Sequence, residues 1–293
     1  VTALYELEKP ASGGASGTTV TESWNFTNAA ATGREGPTQE QVNTAYAGTN
    51  LAGKVSINTQ GIQEWTAPRN GTYRIEAWGA EGGGGKYSVQ SVSLAAGKGA
   101  FVRGNYFLLQ GDSIKVLVGQ LGQTQTVASG GGGGGGGSFL TKGYTPLFVA
   151  GGGGGGGGRG GQLGQNGVTG SSGTKDSNSS GTPGTNGLGG SGGGGIWGSG
   201  GGGGFSSGGG TGGSPATGGN SFIEGGSGGQ TKNDYPAAGG FGGGGGVAYS
   251  GAGGGGYSGG VGGSTFEPYG GGGGGGSYNA GEDQNNTAGV NTG

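Results

Sequence analysis

The sequence predicts a mainly β protein in which an antiparallel β-sandwich with one short helix is joined to a bundle of glycine-rich polyglycine II helices. The first observation is composition, because 95 of the 293 residues are Gly, against an average share of roughly 7%. The second is distribution, since residues 1–128 hold 20 of the glycines and residues 129–293 hold 75. The third is that residues 1–128 carry short alternating stretches and 18 of the 28 charged residues. We therefore expect a sandwich part over 1–128 and a bundle part over 129–293, folded as one integrated unit.

The stretch 72–78 shows the strand pattern most clearly. Tyr73, Ile75 and Ala77 alternate with residues that face the other way, which is the period of two expected of a half-buried strand. Short strands at this spacing are typical of an antiparallel sandwich. The other predicted strands cover residues 18–26, 54–58, 62–65, 87–94, 100–109 and 113–118, with turns at Asn70-Gly71 and Gln110-Gly111-Asp112.

One helix is predicted over residues 37–46. Pro37 suits the first turn of a helix, because the N–H that it lacks would have no intrahelical partner there. Val42, Ala45 and Tyr46 fall on one face at helical spacing, as an amphipathic helix requires.

The second part shows neither helical nor strand periodicity, and it contains uninterrupted glycine runs at 130–137, 151–158 and 270–276. One interpretation is a disordered linker, because Gly loses the most conformational entropy on ordering and brings no side chain to bury. The other interpretation is an ordered bundle. Between the first two runs, residues 138–150 are apolar enough to return to the sandwich as a hairpin or a strand.

Two features favour the bundle over the linker. Single large apolar residues punctuate the glycine-rich part, and a solvated linker has no use for them. Extended threefold helices without Cβ atoms can also pack side by side, so that each N–H and C=O bonds a neighbouring helix. At about 3.1 Å per residue, an eight-residue run would span about 25 Å. The punctuating residues are Ile196, Trp197, Phe205, Phe222, Ile223, Phe241, Tyr249, Tyr257 and Phe266.

A succession of motifs runs through most of the chain. It comprises residues 31–46 (ATGREGPTQEQVNTAY), 61–65 with Pro68, 71–73, 79–83 and 117–120, then the long glycine runs, 238–241 and 253–257. This order resembles the glycine-rich domain in the extracellular part of anaplastic lymphoma kinase and leukocyte tyrosine kinase. The resemblance implies a sandwich of the tumour-necrosis-factor type joined to polyglycine II helices. In those receptors this region takes part in binding cytokine ligands.

Members of that family carry cysteines, whereas this chain has none. The position inside the motif Gln-x-Gln-x-x-x-Ala-Tyr is Val42 in this chain. No growth-factor-like module, membrane span or kinase follows within the chain. These departures favour a microbial surface-protein homologue over an animal receptor. The start at Val1 and the absence of Met suggest a processed product or a segment of a larger precursor. No ligand-contacting position lies in the matched motifs, so the ligand-binding residues stay unknown.

The composition disfavours several classes of function. With no Cys and no His, the chain has no disulfide framework, thiol nucleophile, zinc-finger spacing or Ser-His-Asp triad. A net charge of −2 and a pI of about 5.2 indicate no nucleic-acid partner. No apolar stretch reaches the ~20 residues of a membrane span. We therefore expect no enzyme and no cofactor, and we assign no catalytic, cofactor-binding or metal-ligating residue.

Motif-like patterns arise by chance in a chain this rich in Gly. Residues 189–193 fit the pattern G-x-S-x-G, but no His is present to act as a base and no strand precedes them. Glu282 and Asp283, with Asn285 and Asn286, offer oxygen ligands at a spacing that fits no known calcium loop. A solvated acidic turn is the favoured interpretation of this group.

The leading hypothesis is a non-enzymatic extracellular adhesion or structural module at the cell surface, with a rigid polyglycine bundle as its scaffold. Its partner would be a protein or glycan on a cell surface, or other copies of the chain. A receptor-type ectodomain that binds a protein ligand is the second hypothesis, and a subunit of an extracellular filament is the third. Ice binding is a fourth hypothesis, but the sequence shows no regularly repeating face of Thr or Ala that would contact ice. Glycosylation sequons at Asn25, Asn70, Asn178 and Asn285 matter only in a glycosylating secretory system.

Overall fold

A computed structural model describes residues 3–8, 22–87, 93–213, 216–231, 236–265 and 268–291, with the backbone alone at 3–8 and 93. This part is mainly β, with antiparallel sheets and one short helix, so the predicted fold class is confirmed at that level. In chain order the elements are β1 (Ala3–Glu8), β2 (Glu22–Phe26), α1 (Gln39–Ala45), β3 (Val55–Thr59), β4 (Ile62–Thr66), β5 (Gly71–Trp78), β6 (Gly85–Lys86), β7 (Ser93–Leu94), β8 (Gly99–Leu108), β9 (Ser113–Leu117), β10 (Ser138–Lys142), β11 (Thr145–Ala150), β12 (Tyr278–Asn279) and β13 (Glu282–Asn291).

Two main sheets enclose an apolar core. One sheet has the strand order β13-β8-β5-β1-β2 and the other β12-β11-β10-β9-β4-β3, while β6 and β7 form a small ladder of their own. Tyr73, Ile75 and Ala77 of β5 are buried, which confirms the predicted alternation. The ring centroids of Trp24 in β2 and Trp65 in β4 lie 5.2 Å apart, so aromatic rings from both sheets meet in the core.

Helix α1 begins after Thr38 and is shorter than the predicted 37–46. The Thr38 hydroxyl accepts from the N–H of Gln41, whose side chain accepts from the N–H of Thr38, and this capping box satisfies two helix-terminal donors. Val42 and Tyr46 are buried as expected, whereas Ala45 is exposed. The Tyr46 hydroxyl donates to Gln63 Oε1 over 2.5 Å and so ties the helix end to β4.

Residues 138–150 return to the sandwich as the hairpin of β10 and β11, and β10 pairs with β9. The structure differs from expectation at residues 282–291, which the sequence placed in the glycine-rich part. They form β13, an edge strand paired with β8. Most of its residues are polar and exposed, so the apolar alternation that marks a strand is missing. β1 and β12 were likewise not expected.

Parts of three predictions lie outside the described residues. Residues 18–21 precede the described β2, and residues 88–92 separate β6 from β7, where a single strand over 87–94 is predicted. Phe266, one of the residues expected to punctuate the bundle, also lies outside them.

The glycine runs are buried and bonded to one another. Successive N–H groups of run 130–137 donate to three different neighbouring segments, and the target segment repeats every third residue. Run 151–158 follows the same rule. The period of three is the one expected of threefold extended helices, whose identification as polyglycine II stays a prediction. In run 130–137 the donor–acceptor pairs are Gly132–Gly156, Gly133–Gln123, Gly134–Gly245, Gly135–Gly153, Gly136–Gln120 and Gly137–Gly242, with N···O distances between 2.8 and 3.1 Å.

The bundle continues from one end of the sandwich, because several strands run directly into glycine segments. Ser138, at the start of β10, donates through its hydroxyl to Trp78 O over 2.6 Å and accepts from the N–H of Gly119 over 2.9 Å. Ser277 plays the same part, donating to Val168 O and accepting from the N–H of Gly151. These hydroxyls satisfy backbone groups where sheet ladder and bundle meet.

Aromatic side chains from the glycine-rich part pack on the six-stranded sheet at this junction. Phe222 lies between Phe139 of β10 and Phe205, with ring-centroid distances of 5.2 Å and 5.4 Å. The residues that the strands contribute to this junction cluster alternate with residues that line the core, so they face away from the core. The buried members of the junction cluster are Ile62, Leu117, Phe139, Val149, Phe205, Phe222 and Phe241.

At the end of the sandwich that lies away from the bundle, Asp112 links two turns. Its carboxylate accepts from Lys142 Nζ over 2.8 Å and from the N–H of Leu109 over 3.0 Å, which links the β8–β9 turn to the β10–β11 turn. Burial acts to raise the pKa of Asp112, but the hydrogen bonds from Lys142 and Leu109 outweigh it and hold the pKa below its usual value.

We expect Asp112→Asn to lower the free energy of unfolding by about 1 kcal/mol at pH 7 and by less at pH 3. Because the folded pKa of Asp112 is lowered, the carboxylate stabilises the fold above its unfolded pKa and loses that effect as pH falls through the folded pKa. Urea unfolding at the two pH values measures the difference. Glu282→Gln removes an exposed carboxylate and serves as the control; equal losses for Asp112→Asn at both pH values would contradict the assignment.

Candidate functional site

A cleft of about 260 Å³ opens where the loop after β2 meets the segment that follows β9. Each segment overlaps a motif that carries the family resemblance, and the fold brings the two together across about ninety residues of sequence. The cleft is lined by Asn28, Ala31, Thr32, Gly33, Gln120, Leu121, Gly122 and Gln123.

The polar side chains of the cleft are uncharged, and only some of their donors and acceptors form hydrogen bonds within the described residues. Asn28 Nδ2 donates to Ala31 O over 2.7 Å, and Gln123 Oε1 accepts from the N–H of Ala238 over 3.1 Å. Among the described residues, no hydrogen bond occupies Asn28 Oδ1, Gln123 Nε2 or the Thr32 hydroxyl. The cleft therefore offers an acceptor, a donor and a hydroxyl that can do both.

Two neighbouring residues of the cleft, Gln120 and Leu121, differ in exposure. Gln120 is buried, and its Nε2 donates to Glu35 O over 3.2 Å, while its Oε1 has no hydrogen-bond partner within the described residues. Leu121 is 48% exposed and supplies an apolar surface beside the polar groups. An apolar patch with a few fixed polar groups is the usual composition of a small-molecule site.

Two strained residues lie between the cleft-lining residues Asn28 and Ala31. Ala29 and Ala30 have φ values of 48° and 61°, in the left-handed region that costs a residue with a Cβ roughly 1–2 kcal/mol. The loop is held by hydrogen bonds from the N–H of Ala29 to Thr27 Oγ1 and from the N–H of Ala31 to Asn28 O. Consecutive strained residues beside a cleft are a reason to look for function there.

We expect Ala30→Gly to raise the free energy of unfolding by about 0.5 kcal/mol. Gly relieves the left-handed strain, and the larger entropy of its unfolded state offsets part of that gain. Urea unfolding measures the change. Ala52→Gly, at an exposed position without a positive φ, should instead lower stability. A loss in both variants would show that Ala30 is not strained.

The motif-like residues of the sequence lie in different parts of the structure, where they form structural hydrogen bonds. Ser191 Oγ, in the G-x-S-x-G pattern, accepts from the N–H of Thr182 within the bundle. Asp283 accepts from Asn105 Nδ2, and Asn286 accepts from Asn279 Nδ2, so both help to hold β13 on the sheet. The described residues contain no group of three or more potential metal ligands of the His, Cys, Asp and Glu types.

The four sequons differ in their surroundings. Asn25, Asn70 and Asn285 are exposed, and Asn178 is partly buried with its Nδ2 donating to Pro268 O. Asn70 also accepts from the N–H of Gln110 through its Oδ1. Three of the four side chains are therefore accessible to modification.

The sequence did not single out the cleft residues as a site. Thr32, Gly33 and Gln120 lie inside motifs that carry the family resemblance, but nothing in the sequence indicates that the two motifs meet. Asn28 and Gln123 lie outside the quoted motifs.

Comparison with known proteins shows that part of a receptor-kinase sequence aligns with part of this chain. The chain is 38% identical to the leukocyte tyrosine kinase receptor of Mus musculus over 102 residues, which is 34% of this chain and 11% of that receptor. No family model matches the chain. Across the described residues, no helix is long and apolar enough to cross a bilayer. The chain thus resembles a receptor tyrosine kinase over about a third of its length and spans about a tenth of that receptor.

Proposed function

We propose that the chain is a non-enzymatic extracellular adhesion module in which the glycine bundle serves as a stiff scaffold for the sandwich. The observation that carries this proposal is the buried hydrogen-bond network with its period of three residues. In such a network the backbone itself forms the core, and its N–H and C=O groups are held by neighbouring segments. Because each run is bonded to several neighbouring segments at once, its backbone is restrained on all sides and the scaffold is stiff.

The cleft beside the strained loop is the binding site of this module. Its neutral amides, the Thr32 hydroxyl and the apolar surface of Leu121 suit a ligand that presents both hydroxyl groups and C–H faces, as a sugar does. A volume of about 260 Å³ admits a terminal sugar residue rather than a long chain. The proposed partner is therefore a neutral glycan on a cell surface.

Glycan-array binding with matched variants tests this function. We expect Gln123→Glu, which keeps the acceptor for Ala238 but removes the free donor, to abolish binding of the recognised glycan. Thr32→Val should weaken it. Gln110→Glu makes the same charge change at an exposed turn away from the cleft and should bind as the unchanged protein does. Binding that survives Gln123→Glu and Thr32→Val would overturn the assignment of the cleft.

A receptor-type ectodomain that binds a protein ligand is the second candidate, and the similarity to the leukocyte tyrosine kinase receptor favours it. It would show as a saturable protein–protein interaction that Gln123→Glu leaves unchanged, with no signal on the glycan array. Self-assembly into a filament would show instead as ordered polymers of the purified chain in negative-stain micrographs.

A further inference from the structure

The end of the bundle that lies away from the sandwich forms a surface of its own. Runs 130–137 and 270–276 lead into sandwich strands, and run 151–158 leads out of one, so their other ends meet at a distal tip. The tip is continuous, because Ser129 Oγ donates to Tyr87 O and the N–H of Gln162 donates to Tyr269 O. The ring centroids of Trp197 and Tyr249 lie 5.1 Å apart, and those of Tyr249 and Tyr269 lie 6.3 Å apart.

Large apolar side chains are exposed at this tip. Ile196 is 74% exposed, Leu163 56%, Tyr87 44% and Trp197 38%. Exposed apolar residues scattered singly are normal on a protein, but these converge on one end of the molecule, beside a row of aromatic rings. Such a group marks an interaction surface.

Positive charge accompanies the apolar groups. Arg159 and Lys175 are exposed, and neither forms an ion pair with a described carboxylate. Lys86 Nζ donates to Thr126 O, a backbone carbonyl, so its charge is likewise not neutralised by an acid within the described residues. Asp176, the described acid of this end, is buried and accepts from the N–H of Asn178. The described part of the tip is therefore cationic, whereas the chain as a whole has a net charge of −2.

We propose that the distal tip docks on the surface of an anionic lipid bilayer. Trp and Tyr rings favour the membrane–water interface, because each has an apolar body and a polar edge. The side chains of Ile196 and Leu163 can enter the acyl boundary, while Arg159 and Lys175 contact lipid phosphates. The contact is peripheral, and it goes beyond the proposed glycan binding at the other end of the bundle.

Vesicle co-sedimentation of the full chain tests the proposal. We expect binding to vesicles of phosphatidylcholine with a minority of phosphatidylserine, and little binding to phosphatidylcholine alone. High salt should weaken it, since surface charges are then screened. Arg159→Glu should reduce the vesicle affinity about tenfold, and Ile196→Ser should also reduce it. Trp197 fluorescence should shift to the blue on binding, and Trp197→Phe should remove that shift.

Matched variants at exposed positions away from the tip keep the result interpretable. Lys54→Glu and Ile223→Ser change charge and apolarity elsewhere and should leave vesicle binding unchanged. Absence of binding to the anionic vesicles overturns the proposal, and so does an equal loss with Lys54→Glu and Arg159→Glu. Binding to a soluble sulfated glycan without binding to vesicles overturns it as well. Glycan-array binding that is lost with Gln123→Glu but not with Arg159→Glu separates the cleft from the tip.

Discussion

Gly155→Ala is expected to lower the free energy of unfolding by at least about 3 kcal/mol, or to prevent folding of the bundle. A Cβ at this position would overlap the carbonyl group of Gly132, which belongs to the neighbouring run. Gly155 is also bonded on the other side, where its N–H donates to Ala252 O over 2.8 Å. Backbone on both sides leaves no flexible side chain to move away, so the added methyl must separate two runs. Thermal unfolding followed by circular dichroism measures the effect.

Gly170→Ala provides the matched control, because a Cβ there meets nothing within 4 Å and the residue is exposed. It should change stability by no more than about 0.5 kcal/mol. Similar losses in the two variants would mean that close backbone contact does not govern the need for glycine in this part of the chain. A tolerated Gly155→Ala would contradict the packed network directly.

Phe222→Ala is expected to cost about 3–5 kcal/mol. The ring is 2% exposed and is stacked between Phe139 of the sandwich and Phe205 of the glycine-rich part. Its removal leaves a cavity at the place where side chains, rather than backbone, hold the two parts together. Chemical unfolding should also become less cooperative, because the sandwich and the bundle then lose coupling.

The neighbouring residue supplies the control for this change. Ile223→Ala truncates a side chain that is 49% exposed and should cost less than about 1 kcal/mol. A double-mutant cycle with Phe139→Ala isolates the contact between the two rings. Additive losses in that cycle would show that Phe222 contributes through burial alone and not through its pairing with the sheet.

Local patterns predicted much of the sandwich. The alternation of Tyr73, Ile75 and Ala77 placed β5 and its buried face, and Pro37 with Val42 and Tyr46 placed α1 to within two residues at its start. The apolar composition of residues 138–150 contrasts with the glycine runs around it, and this contrast predicts the return to the sandwich. These features depend on interactions between residues close in sequence, which is why they can be inferred without a structure.

Other features depend on partners that the sequence does not identify. The edge strand β13 is held by side chains such as Asn279 and Asp283 that bond β8 or its side chains, and polar residues of this kind are typical of turns as well. The cleft arises only because residues 28–33 meet residues 120–123. The left-handed conformation of Ala29 and Ala30 runs against local preference, so only the surrounding contacts can impose it.

The repeat of three residues in the glycine network has a consequence for alignment. Because successive glycines are chemically identical, a run displaced along its axis by three positions would meet the same set of donors and acceptors. The runs themselves therefore do not determine their own register. Ser138, Ser277 and Phe222 determine it, since each has a specific partner at the junction. Insertion or deletion of three glycines therefore leaves each remaining residue of a run facing the same neighbouring segment, whereas a change of one or two residues turns it toward a different one.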